Sequence, residues 1–176
     1  HYYAQMDKKV LLLELDYRKN PFAEEPQNQK ATLVDYLKGD ISIEEVTIRG
    51  RPDRIRITKN DPSLKELIKS KKMGSFWGSL KEAYDLIIID TPGAIEDDYT
   101  TNLASMADLC ILVVGSSQVK KNTIDETVKV LEFSGARPCG IVLNRINPVY
   151  VDNARIKLET KRSNKDFLRE LLAWRR

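Results

Sequence analysis

Lys9-Val10-Leu11-Leu12-Leu13-Glu14-Leu15-Asp16 is an almost unbroken apolar run that ends in acid, and its reading decides the fold. A strand with one face in water alternates apolar and polar residues, whereas a strand covered on both faces is apolar throughout. The run therefore reads as a strand of a parallel sheet lying between layers of helix. Tyr84 to Asp90 (YDLIIID), Leu109 to Gly115 (LCILVVG) and Cys139 to Asn144 (CGIVLN) have the same character. Arg54 to Thr58 (RIRIT) alternates instead, which suits an edge or half-covered strand.

Between these runs lie stretches with helical spacing: Thr32 to Lys38, Ser63 to Lys69, Gly74 to Ala83, Tyr99 to Ala107, Asn122 to Ser134 and Asn164 to Trp174. Strands alternating with helices imply βαβ units with right-handed crossovers. The expected architecture is α/β, a three-layer αβα sandwich around a mostly parallel sheet, in one domain over residues 1–176. Pro21 to Gln29 (PFAEEPQNQ) reads as a polar loop between prolines, and neither repeats nor low-complexity stretches divide the chain. His1 to Met6 (HYYAQM) reads as the last turns of a helix leading through Asp7 and Lys8 into the first strand. On that reading an amino-terminal strand and most of a helix are expected to precede His1.

Composition narrows the function classes. The chain carries 29 basic and 26 acidic residues, a balance that makes no case for nucleic acid as the main partner. The basic surplus lies in the last stretch, from Val151 to Arg176, where a solvated helix face is the plainer explanation. Cys110 and Cys139 sit in apolar runs without metal or redox spacing and read as buried thiols in a reducing compartment. No stretch approaches the roughly 20 apolar residues of a membrane span.

The residues that can carry chemistry are acids at strand ends. Glu14 and Asp16 close one apolar strand and Asp90 closes another. In an open α/β sheet, ligands bind beyond the carboxyl ends of the strands, where acids can hold magnesium directly or through water. The plainer alternative is that Asp90 caps the turn begun by Thr91 and Pro92. Two acidic strand ends in one chain favour the metal reading. Thr123 follows the fourth apolar run, where its position suggests that it caps its own helix.

These residues also carry a resemblance. Val10 to Arg18 (VLLLELDYR) resembles the Walker A′ motif of bacterial protein-tyrosine kinases, a hydrophobic strand ending in Asp-x-Asp-x-Arg, and Asp85 to Pro92 (DLIIIDTP) resembles their Walker B motif. Thr32 to Asp40, Ala107 to Gly115 and Gly140 to Arg145 fit the same template in order, so the resemblance spans about residues 1–147. It implies a P-loop NTPase-like domain of the deviant-Walker superfamily, which also holds the partitioning and cell-division-site ATPases. It further implies a cytoplasmic tyrosine-kinase-like, ATP-binding domain of a capsular or exopolysaccharide chain-length regulator. Such a domain works as a homo-oligomer at the inner face of the membrane, joined to a membrane-embedded copolymerase region or partner. By this resemblance Glu14 and Asp16 are catalytic, Asp16 and Asp90 are magnesium ligands, and Asn144 and Thr91 contact the nucleotide. ATP or ADP with magnesium is expected if a P-loop precedes His1.

Departures from the template keep other readings open. The sequence contains no Gly-x-x-x-x-Gly-Lys-Ser/Thr, the loop whose backbone and lysine hold phosphates. Glu14 stands where the family has Asp, Gly93 replaces a second proline, and no tyrosine follows Tyr150 although the kinases carry a carboxyl-terminal tyrosine cluster. The chain closes instead on an apolar stripe, Phe167, Leu168, Leu171, Leu172 and Trp174, which reads as a helix packed on the sheet. A degenerate, non-catalytic interaction domain and a relative of the partitioning and cell-division-site ATPases therefore stand beside an active kinase.

Overall fold

The computed structural model describes residues 2–16, 31–39, 41–57, 63–116 and 118–146. The Pro21 to Gln29 loop and the helix expected over Asn164 to Trp174 lie outside the described residues. Ala4–Met6 form a single 3-10 turn, closed by Asp7 in the left-handed region at φ 56°. The chain then enters β1 (Val10–Glu14), which is the centre of a three-stranded parallel sheet between β2 (Asp53–Arg56) and β3 (Leu86–Asp90). A second parallel pair joins β4 (Cys110–Gly115) to β5 (Pro138–Asn144). The alternating stretch is thus an edge strand, as its pattern predicts, though it begins at Asp53 rather than Arg54.

Register explains which residues reach the core. Leu11 and Leu13 of β1 pair with Asp53 and Ile55 on one side and with Ile87 and Ile89 on the other. Leu11, Leu13 and Ile55 are fully buried on that face, beneath α1 (Leu33–Lys38) and α4 (Lys71–Ala83). Helix α4 fits the sheet because Met73, Phe76, Trp77 and Leu80 recur at i, i+3, i+4 and i+7, and these are its buried residues. Phe76 anchors an aromatic run, with ring centroids 5.5 Å from Tyr36 and 5.6 Å from Trp77. The helix starts at Lys71, three residues earlier than its periodicity suggests, because Ser70 caps it by accepting the Met73 N–H.

The opposite face is less covered among the described residues. Ile88, which pairs with Leu12, is 47% exposed, and Ile111 and Val113 of β4 are 52% and 60% exposed. The uninterrupted apolar character of these strands is therefore met by helices on one face of the first sheet and only partly on the other. Cys110 is half-buried rather than buried as its apolar setting suggests.

Local chemistry sets the remaining boundaries. Helix α1 opens with a reciprocal cap in which Asp35 Oδ2 accepts from both the Thr32 N–H, at 2.8 Å, and the Thr32 hydroxyl, at 2.7 Å. It closes on Gly39, whose φ of 103° suits a residue without Cβ, and whose N–H donates to Asp35 O and Tyr36 O. Asp35→Ala is expected to cost about 1 kcal/mol, measurable as a shift in the urea midpoint with an unchanged slope. The four-residue α2 (Ile43–Val46) has the same Ser/Glu capping logic at Ser42 and Glu45. Helices α3 (Leu64–Leu67), α5 (Asp98–Met106) and α6 (Lys121–Phe133) complete the order. Helix α6 is preceded by Lys120, so Thr123 sits within its first turn and is not the cap that its sequence position suggests.

Candidate functional site at the carboxyl rim of the sheet

Parallel pairing carries the acids to one edge. Glu14, the last residue of β1, pairs directly with Asp90, the last residue of β3, and with Arg56, the last residue of β2. Neighbouring strands lie about 4.8 Å apart, and laterally paired residues project on the same face. Two acidic residues and an arginine thus occupy adjacent register positions along the exit of the sheet. Asp16 follows two residues beyond Glu14 and is only 7% exposed, whereas Asp90 is exposed.

The backbone at this edge is held beyond the last rungs of the ladder. Ile57 N–H donates to Glu14 O at 3.2 Å, and Leu15 N–H donates to Asp90 O at 2.8 Å. Burying a carboxylate such as Asp16 is costly unless polar groups meet it. Glu14 and Asp16 both make interactions within the protein, yet one oxygen of each, Glu14 Oε1 and Asp16 Oδ2, is buried and accepts no hydrogen bond. Buried oxygens of this kind suit a cation or an ordered water. Among the described residues no three His, Cys, Asp or Glu side chains form a ready-made metal cage. The donor set fits magnesium, which keeps several waters and uses one or two carboxylates together with phosphate oxygens.

Thr91 follows Asp90 in the exit turn and is half-buried. Gly93, which replaces the expected proline, has a local reason. A Cβ there would stand 2.9 Å from the Glu96 carboxyl carbon, so the glycine lets Glu96 fold back over the turn. Asn144 closes β5 in the other sheet and is exposed, and its Oδ1 accepts from the Arg145 N–H at 2.8 Å. That bond supports the left-handed Arg145, at φ 56°, so the amide oxygen is engaged locally and the amide nitrogen is the group left to reach a ligand. Two residues that carry no motif also belong to the rim. The Tyr99 hydroxyl donates to Leu15 O at 2.7 Å, and the Thr100 hydroxyl lies 3.5 Å from Pro92 O.

A cavity lies elsewhere. About 590 Å³ in volume, it opens at the amino end of the strands among Lys8, Arg49, Asp53 and Tyr84, on the side of the sheet where α/β proteins do not place ligands. The arrangement there is a structural knot. Asp53 Oδ2 accepts from the Tyr84 hydroxyl and from Arg49, both at 2.9 Å, while Oδ1 accepts from the Gly50 N–H at 2.9 Å. Burial and the bond to Asp53 push the Tyr84 phenol up to about 12. A phenol raised in the folded state adds stability that is present below its unfolded value near 10 and is lost as pH rises through 12. Tyr84→Phe is therefore expected to flatten the fall in melting temperature between pH 10 and pH 12. An identical fall in the variant would refute the assignment.

No family model matches the chain. The EpsB protein of Ralstonia solanacearum is 30% identical over 147 residues, which are 80% of this chain and 19% of that protein. The tyrosine-protein kinase CpsD of Streptococcus agalactiae is 28% identical over 154 residues, covering 82% of this chain and 65% of that one. The chain thus spans about a fifth of the first relative's length and just under two thirds of the second's. Among solved structures, the VpsO kinase domain superposes with a TM-score of 0.74 at 28% identity, over 83% of this chain and 74% of that one. The MinD cell division protein of Aquifex aeolicus shares the fold, with a TM-score of 0.64 at 21% identity over 85% of this chain and 61% of that one. The chain is a homologue of the bacterial tyrosine-protein kinases, built on the α/β, P-loop NTPase-like fold that their kinase domains share with MinD.

Proposed function

We propose that the chain is the nucleotide-handling part of a tyrosine-kinase-like domain in a regulator of capsular or exopolysaccharide chain length, acting on ATP with magnesium. The observation that carries this reading is the register of Glu14 with Asp90, with Asp16 following at the same exit. Asp16 and Asp90 hold the ion, Asp90 from its exposed position through water. Magnesium, when bound with the nucleotide, offsets charge on the phosphate oxygens during transfer. Glu14 orients the attacking tyrosine hydroxyl, since a carboxylate within hydrogen-bond reach of a phenol can take its proton. Thr91 and Asn144 contact the nucleotide, Asn144 through the amide nitrogen. Arg56, beside Glu14 in register, keeps the cluster of acids from repelling itself at neutral pH. The parent protein is proposed to act as a homo-oligomer at the inner face of the membrane, with a membrane-embedded copolymerase region or partner.

A second reading draws on Glu14 in place of aspartate: the extra methylene changes carboxylate reach, and magnesium tolerates little departure from an octahedron. A domain so altered would keep the fold and regulate assembly by contact alone. The two readings separate when the natural full-length protein is incubated with magnesium and γ-labelled ATP. Magnesium-dependent label on tyrosine supports the kinase reading. Binding with hydrolysis but no transfer supports an ATPase of the MinD type, and absence of nucleotide binding supports the interaction domain.

A further inference from the structure

We propose that Tyr99 is a positioning residue for Asp16, acting from helix α5 across 84 residues of chain through its hydroxyl on the Leu15 carbonyl. The inference rests on the reading of the carboxyl rim as the magnesium-nucleotide site.

The geometry starts where the sheet stops. The strand ladder ends with Ile57 N–H on Glu14 O and Leu15 N–H on Asp90 O, and among the described residues no strand neighbour takes the next group, Leu15 O. Tyr99 takes it. Its ring is 1% exposed and its hydroxyl donates at 2.7 Å, a short and buried bond. The carbonyl of Leu15 and the N–H of Asp16 share one rigid peptide plane. Fixing that carbonyl fixes the plane, and the plane sets the direction in which the Asp16 side chain departs.

Leu15 is thereby a junction. Its N–H reaches the backbone of Asp90 and its carbonyl reaches Tyr99, so one residue joins both acidic strand ends to α5. The next residue of the helix points the same way: Thr100, 4% exposed, sets its hydroxyl 3.5 Å from the carbonyl of Pro92, in the turn that follows Asp90. That distance is at the limit of a hydrogen bond, so Tyr99 is the stronger of the two contacts. A phenylalanine would fill the same volume, which makes the hydroxyl the separable element. Carboxylates that meet a metal must be held to within about 0.5 Å of the productive geometry by residues behind them, and residues of that kind typically change metal affinity by about 10- to 100-fold when lost.

The test uses full-length protein and Tyr99→Phe, with Thr101→Ala as the control. Thr101 lies in the same turn, but its hydroxyl bonds to Asp98 O within the helix. Magnesium is titrated at fixed ATP by a binding assay without turnover, and Mn²⁺ uptake is followed by electron paramagnetic resonance. The expected result is that Tyr99→Phe raises the metal concentration for half-maximal binding by about tenfold. ATP affinity at saturating metal should change less than about twofold, and Thr101→Ala should match the wild type. If the wild type needs magnesium and Tyr99→Phe needs no more of it, the hydroxyl only satisfies a buried carbonyl and the proposal is overturned while the site stands. Equal losses at low and saturating metal, accompanied by a lower melting temperature, assign Tyr99 to fold stability and overturn it as well. A wild type without metal-dependent binding removes the site itself, a result distinct from both.

Discussion

Asp90→Asn in the full-length protein is expected to lower magnesium-dependent phosphotransfer by about 10- to 100-fold, with the melting temperature unchanged to within about 2 °C. The side chain is exposed at the end of β3, so the substitution keeps shape and burial and removes only charge. On the proposed function, an amide in place of the carboxylate weakens the hold on a hydrated cation, and it leaves Glu14 on the neighbouring strand and Arg56 on the strand beyond in a changed balance. Asp16→Asn differs in kind. Its carboxylate is more than nine-tenths buried, so the same charge removal is expected to change both phosphotransfer and stability, with the sign of the stability change reporting how well the protein compensates the buried charge. Steady-state rates and calorimetric melts on the two variants distinguish these outcomes.

Leu13→Ala is expected to cost about 2–5 kcal/mol, a large share of the roughly 5–15 kcal/mol that a folded domain has. Leu13 is fully buried on the central strand, with Ile55 and Ile89 as its lateral partners. Three strands and the helix layer above meet at that side chain, so little can move in to fill the space it leaves. The companion measurement is Ile88→Ala. Ile88 pairs with Leu12 on the other face and is 47% exposed, so its loss is expected to cost under about 1 kcal/mol. Chemical denaturation of both variants tests whether the core lies on the α4 side of the sheet. Equal losses would contradict that placement.

The strands were the most legible part of the chain because apolar runs closed by Glu14, Asp90, Gly115 and Asn144 have no other good use in a protein of this composition. Their parallel pairing followed from the helices between them, whereas the order β2-β1-β3 and the separate β4-β5 pair did not. Helix starts were less legible, since a start depends on one cap: Ser70 moves the beginning of α4 back from Gly74. The short α2 was present in the sequence as Ser42 and Glu45 three residues apart, a signal that periodicity alone does not detect in four residues. At the site, Glu14, Asp16 and Asp90 could be read because charge at the end of an apolar strand is conspicuous. Tyr99 could not, because a bond between a helix and a carbonyl 84 residues away leaves no local pattern. The local use of the Asn144 amide oxygen was hidden for a related reason, as it depends on the left-handed backbone of Arg145.

The most direct test is a crystal structure of the protein grown with ADP and Mn²⁺, in which anomalous scattering locates the ion. A manganese peak within direct or single-water reach of Asp16 and Asp90 is the result expected. A peak at the amino-end cavity beside Asp53 and Tyr84, or a nucleotide bound with both aspartates turned away from it, would contradict the assignment.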